Sequence, residues 1–216
     1  MPIEVALNVI YADDALVVLN KPSGLLSVPG KGPDKQDCLS TRVQAVYPDA
    51  LVVHRLDMAT SGLLVFARGI QAQRALNQAF ASRAVYKRYE AIVSGLVAQP
   101  TEAWRTIDLP IIVDWPNRPL RMIDQARGQA SVTRLQCLHH DAAAHMTRVA
   151  LEPLTGRSHQ LRIHLQAIGH PILGDTLYAP AETAALSPRL LLHACVLRLP
   201  HPLHGEELAF ECPAEF

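Results

Sequence analysis

The chain has 216 residues, 49% of them apolar and 19% charged, enough for a buried core, and every apolar run breaks before the roughly 18 residues that a membrane span needs. Its start, MPIEVALNVIYADD, has no basic leader and turns acidic at once, so a cytoplasmic protein is expected; four scattered cysteines (Cys38, Cys137, Cys195, Cys212) without a C-x-x-C argue against a zinc ribbon or a disulfide scaffold and read as small buried hydrophobes. Twenty basic residues against 20 acidic ones leave no net charge, which taken whole speaks against a nucleic-acid partner.

Val9-Ile10-Tyr11 and Leu16-Val17-Val18-Leu19 flank Ala12-Asp13-Asp14 and predict a hairpin, ended by the turn Lys21-Pro22-Ser23-Gly24. Asp37 can cap a short helix with Leu39, Val43 and Val46 on one face, closed by Pro48. Leu51-Val52-Val53 predicts a strand, residues 62–67 a nearly continuous apolar strand, and residues 70–83 a helix spaced through Leu76 and Phe80. Alternation over 85–93 predicts a strand with Tyr86 and Arg88 opposite Lys87 and Tyr89. An irregular stretch with Pro110, Pro116 and Pro119 comes next. Strands are predicted over 130–138 and 146–151, a helix over about 158–168 with Leu161, Leu165 and Ile168 as its stripe, and strands over 190–199 and 207–211. Strands not in regular alternation with helices point to an α+β fold, with a mixed, mostly antiparallel central sheet flanked by helices and loops, as a single domain over residues 1–216.

Two segments concentrate chemistry. His54-Arg55-Leu56-Asp57-Met58-Ala59-Thr60-Ser61-Gly62 is a polar loop between two apolar strands, where a sheet would present a catalytic group: its carboxylate can act as nucleophile or base, and Arg55 can grip a phosphate. The same residues also suit a plain turn in which Asp57 caps the amides of Thr60 or Ser61. Thr155-Gly156-Arg157-Ser158-His159-Gln160-Leu161-Arg162 enters a helix whose first amides and Arg157 favour an anion, with Arg162 free to meet a buried carboxylate; the alternative is a solvated helix face. Ten histidines raise a metal reading, with His139, His140, His159, His164 and His170 as candidates, but none has ligand spacing and no metal is expected. The nucleotide-loop and hydrolase-elbow motifs are missing from the sequence as well.

Charge is distributed unevenly. Residues 51–110 and 111–170 each carry 7 basic and 4 acidic residues, whereas both ends are acidic, and 16 of the 20 basic residues are Arg, whose planar fork suits phosphates and bases. Ordinary surface arginines are the alternative. If the pattern is functional, it predicts a basic cleft around Asp57 on a neutral body.

HRLDMATSGLLVFAR, residues 54–68, closely resembles the catalytic motif of the RluA-type pseudouridine synthases. Leu19-Asn20-Lys21-Pro22-Ser23-Gly24, Lys87-Arg88-Tyr89 with residues 91–95, Gly156 through Arg162, Gly169-His170-Pro171-Ile172-Leu173-Gly174-Asp175 and Leu190-Leu191-Leu192-His193-Ala194 are similar to further family segments, in the same order along nearly the whole chain. The resemblance implies the pseudouridine synthase fold, a chain without the family's S4-like RNA-binding domain, and an RNA uridine isomerase with a base-flipping mechanism and no cofactor. It implies Asp57 as nucleophile, Tyr89 as the ring that stacks on the base and assists loss of the C5 proton, and Arg162 as the buried cationic partner of the carboxylate. Arg55 is implied to fill the gap left by the flipped uridine, Leu192 to line the base pocket, and Lys21, Arg157 and His159 to contact RNA. A hairpin loop of 23S rRNA and tRNA anticodon stem-loops are the implied substrates, for a cytoplasmic monomer. A catalytically inert RNA-binding module and a His-based metallohydrolase are the competing classes.

Overall fold

The computed structural model describes residues 7–98 and 103–216. The opening hairpin forms as β1 (Val9–Ala12) and β2 (Leu16–Lys21), its turn fixed by Asp13 Oδ1, which accepts the amides of Ala15 and Leu16 at 2.7 and 2.8 Å. Then come α1 (Leu39–Val46), β3 (Ala50–Val52), β4 (Ser61–Arg68), α2 (Gly69–Ala81) and β5 (Tyr86–Ser94). They are followed by β6 (Trp104–Asp108), β7 (Ile111–Val113), β8 (Arg121–Ile123), β9 (Val132–Asp141), β10 (Met146–Pro153), α3 (Gln160–Ala167), the short α4 (Ala181–Ala184), β11 (Leu192–Pro200) and β12 (Glu207–Glu211).

Two expectations are corrected. Asp37 does not cap α1: the helix starts from Cys38, and Asp37 instead holds Arg42 through two bonds of 2.7 and 2.6 Å; Val46, at the helix end, is 60% exposed. The proline-containing stretch is not wholly irregular either. Pro110 directly precedes β7, Pro116 and Pro119 lie in the turn to β8, and these two three-residue strands are too short to show a period.

The chain divides into two compact units. The first comprises residues 7–87 and His193–Glu215. Its strands run β1-β2-β4-β11, with β3 also paired to β4 and β12 to β11; β4 and β11 are parallel, every other pairing antiparallel. Leu16, Val18, Leu63, Val65, Leu76 and Leu197 join its core, so the continuous apolar run of β4 is buried as its sequence requires. At the parallel pairing Gly62 has φ +111°, and a Cβ there would lie 2.4 Å from the carbonyl oxygen of Ala194, so only glycine fits. The second unit, residues 88–192 with Phe216, holds the antiparallel ribbon β5-β10-β9-β6 and the separate hairpin β7-β8. The fold is α+β and mostly antiparallel. All four cysteines are buried and free.

Candidate active site

Asp57 sits on the loop between β3 and β4, and that loop is held by its backbone. Four consecutive carbonyls, Leu56 to Ala59, each accept a hydrogen bond. Ser27 Oγ donates to Leu56 O at 2.6 Å, and the Thr60 amide donates to Asp57 O at 3.1 Å. Met58 O accepts both the Gly24 amide (2.9 Å) and Lys21 Nζ (3.0 Å), while Ser23 Oγ donates to Ala59 O at 2.7 Å. The Leu56 amide returns a bond to Ser27 Oγ at 3.1 Å. Segment 21–27, whose first four residues read from sequence as a turn, thus serves as the cradle of the Asp57 loop. Of the two amides named in the plain-turn reading, that of Thr60 bonds to the backbone of Asp57. With the main chain tied inward, Arg55 is exposed and Asp57 partly exposed.

Lys21 departs from its expected RNA contact. It is 0% exposed, and its ammonium donates to the carbonyls of Pro22 (2.8 Å), Leu25 (2.7 Å) and Met58, so no donor remains for a phosphate. Burial pulls its pKa down to about 8, against the attraction of the Asp57 carboxylate, which favours the charged form. Lys21 therefore places a cation within electrostatic reach of Asp57 from beneath the loop. At the head of the loop the His54 ring stacks on Phe80 with centroids 4.7 Å apart, and Nε2 accepts the Val65 amide at 3.1 Å, tying the loop to β4. Burial, with Lys87 adding repulsion, drives the His54 pKa down to about 3, so the ring is neutral. Behind Gly62, buried Ser61 and His193 meet at 2.9 Å, and His193 Nε2 lies 3.0 Å from Cys212 O.

The second unit carries the other expected residues. Tyr89 lies on β5 opposite Leu151 of β10 and is partly exposed. Arg162 on α3 is 4% exposed and grips Asp175 through Nε and Nη2 at 2.8 and 2.6 Å. Asp175 Oδ1 also accepts the amides of Leu177 and Tyr178, and the Tyr178 ring lies 5.1 Å from the Arg162 guanidinium. The Tyr178 hydroxyl accepts the Arg121 amide at 3.0 Å and lies 2.6 Å from His159 Nδ1. Burial raises the Tyr178 pKa, so its hydroxyl keeps its proton. Arg162, Asp175, Tyr178 and His159 thus form one connected polar network.

The turn before α3 differs from its expected anion cradle. His159 takes φ +57°, the helix begins at Gln160, and the Arg157 amide goes to Gln160 Oε1 at 3.1 Å; the exposed Arg157 side chain remains available. Leu192, first in β11, is buried. Of the other histidines named for a metal, His139 is exposed, His140 has Val97 O at 3.0 Å, His164 stands between Thr133 Oγ1 and Leu109 O at 2.9 Å each, and His170 Nδ1 lies 2.9 Å from Ser94 O. Sequence reasoning missed Ser23, Ser27, Asp175 and Tyr178. Ser23 and Asp175 do stand inside segments noted for resemblance, but nothing local marks which side chain closes a hydrogen bond.

A family model described as RNA pseudouridylate synthase matches residues 15–167. The dual-specificity RNA pseudouridine synthase RluA of Escherichia coli (strain K12) is 48% identical over 215 residues, spanning 100% of this chain and 96% of its own length. Its counterpart in Yersinia pestis is 49% identical over 208 residues, 96% of this chain and 99% of its own. Among solved structures, human RNA pseudouridylate synthase domain containing 1 is similar with a TM-score of 0.80 and 29% identity, over 97% of this chain and 84% of that one. Human RNA pseudouridylate synthase domain containing 4 follows at 0.75 and 26%, over 96% and 88%.

Proposed function

The chain belongs to the RNA pseudouridylate synthase family and is an isomerase of uridine in RNA, and from that premise we propose that Asp57 carries the reaction, on a hairpin loop of 23S rRNA and on tRNA anticodon stem-loops. Support for Asp57 comes above all from the loop itself: four successive carbonyls tied down leave a partly exposed carboxylate on a rigid mount, the preorganisation that a nucleophile needs. Support for two substrates comes from the relatives, which are named dual-specificity enzymes.

Uridine and pseudouridine contain the same atoms. The N1–C1′ bond breaks, the base turns, C5 bonds to C1′, the C5 proton departs and N1 takes up a proton, so the balance calls for no redox partner and no group donor. The Asp57 carboxylate serves either of two opening steps, attack on C1′ or removal of the C2′ proton to give a glycal. Tyr89 stacks on the released base and assists loss of the C5 proton; Arg162, held by Asp175, supplies positive charge to the reaction. Unstacking the uridine costs a few kcal/mol, which Arg55, taking the vacated place, and Tyr89 offset. Arg157, His159 and Leu192 contribute to holding the RNA and the base. We take the enzyme to act as a cytoplasmic monomer whose two units make up one catalytic domain; among the described residues no helix is long and apolar enough to cross a membrane.

Tritium release from RNA labelled at uridine C5 tests the proposal. Asp57→Asn should abolish release while RNA binding persists; activity surviving that change would remove Asp57 from the chemistry. Mapping pseudouridine across total RNA with and without the gene identifies the modified positions.

A further inference from the structure

The β7–β8 hairpin carries a group that the reaction does not use. Its turn is held by its own atoms: Asp114 N donates to Leu120 O at 3.1 Å, Leu120 N to Asn117 O at 2.9 Å, and Asn117 Nδ2 to Asp114 Oδ2 at 3.0 Å. On this turn Trp115 is 66% exposed, and the Arg118 guanidinium lies 3.3 Å from the centroid of its ring. A large indole left in water forgoes burial that a core would reward, and no described carboxylate pairs with Arg118. The hairpin is also anchored, since the Arg121 amide donates to Tyr178 Oη, which adjoins His159 and Arg162.

We propose that Trp115 and Arg118 form a stacking platform for one unpaired base of the RNA substrate, a base other than the target uridine. The inference rests on the reading of the chain as an RNA uridine isomerase. An exposed indole with an unneutralised guanidinium on one face offers a base both a π-surface and a cation, the pairing by which single-stranded nucleotides are held. Pre-stacking by Arg118 fixes the ring before RNA arrives, so little side-chain freedom is lost on binding. The anchor through Tyr178 sets the platform at a fixed place relative to Arg162, so it selects RNAs that carry an unpaired base at one particular position.

The experiment measures KM and kcat by tritium release on an RNA stem-loop that the wild type modifies, for wild type, Trp115→Ala, Trp115→Phe and Arg118→Ala, together with substrates in which each loop nucleotide in turn is made abasic. Trp115→Ala should raise KM about ten-fold with kcat unchanged, matching the lower range of base–aromatic stacking, and Trp115→Phe should retain most of the affinity. At one loop position the abasic substrate should raise the wild-type KM to that of Trp115→Ala while leaving the variant indifferent. An unchanged KM in Trp115→Ala, a loss confined to kcat, or the absence of any such position, as expected if the platform serves a protein partner, overturns the inference. A wild type that releases no tritium from any RNA overturns the functional reading itself, so the two failures are distinguishable.

Discussion

His54 shows how one half-buried side chain couples the loop to solution pH. Its folded pKa of about 3 lies below the ordinary 6.5, so the unfolded chain binds the proton more readily than the folded one. This contribution to stability is therefore fully present above pH 6.5 and is lost as pH falls from 6.5 towards 3. Urea unfolding of the wild type across that window should lose more stability than His54→Gln, which keeps an acceptor for Val65; parallel pH profiles would show that His54 is not held neutral. Arg162 and Asp175 are interdependent in another way. Both are almost wholly buried, so Asp175→Ala takes a two-bond carboxylate partner from a buried guanidinium, and unfolding measurements should register a loss of about 3–5 kcal/mol.

At the scale of elements, β4 and the cradle beneath Asp57 fix the geometry. Gly62→Ala forces a Cβ against the Ala194 backbone at positive φ and should destabilise by about 3 kcal/mol, read from the denaturation midpoint. Ser27→Ala leaves the Leu56 amide and carbonyl without their shared hydroxyl; a loss of about 1–3 kcal/mol in stability is expected, with a fall in kcat as the loop loosens. How much of this is legible in the sequence varies with the kind of signal. The unbroken apolar run makes β4 plain, the helical spacing makes α2 plain, and a polar loop between apolar strands draws notice to residues 54–62 from residue types alone, while the choice of Asp57 over a plain turn comes from the family resemblance. The burial of Lys21 is not legible, because a lysine reads as surface until three carbonyls converge on it from segments up to 37 residues away in sequence. Nor can spacing show that Asp37 turns to Arg42, since a carboxylate has both options locally and the tertiary arrangement decides.

Across the whole molecule, a net charge of zero conceals internal pairing. Arg68 and Arg162, from the basic middle, take partners from the acidic flanks, Asp49 and Asp175, while Arg127, Arg134 and Arg148 pair with carboxylates of the middle itself, Asp124, Glu152 and Glu90. Arg55 and Arg157 stay exposed and carry no such partner among the described residues. The cationic surface that RNA meets is thus smaller than the regional count of arginines implies. If about three phosphates are neutralised, raising salt from about 50 to 200 mM should weaken RNA binding roughly ten-fold or more, with log K falling linearly against log salt. Affinity insensitive to salt would show that binding rests on stacking and shape instead.

The parallel pairing of β4 with β11 also sets an order of events during synthesis. Residues 88–192 leave the ribosome as a continuous stretch that contains all the strands of its own ribbon, whereas the first unit has to wait for His193–Glu215 before β11 can close against β4. Until His193 and Ala194 emerge, the Ser61–Gly62 end of β4 therefore lacks its parallel partner, an open strand edge of the kind that invites pairing with other chains.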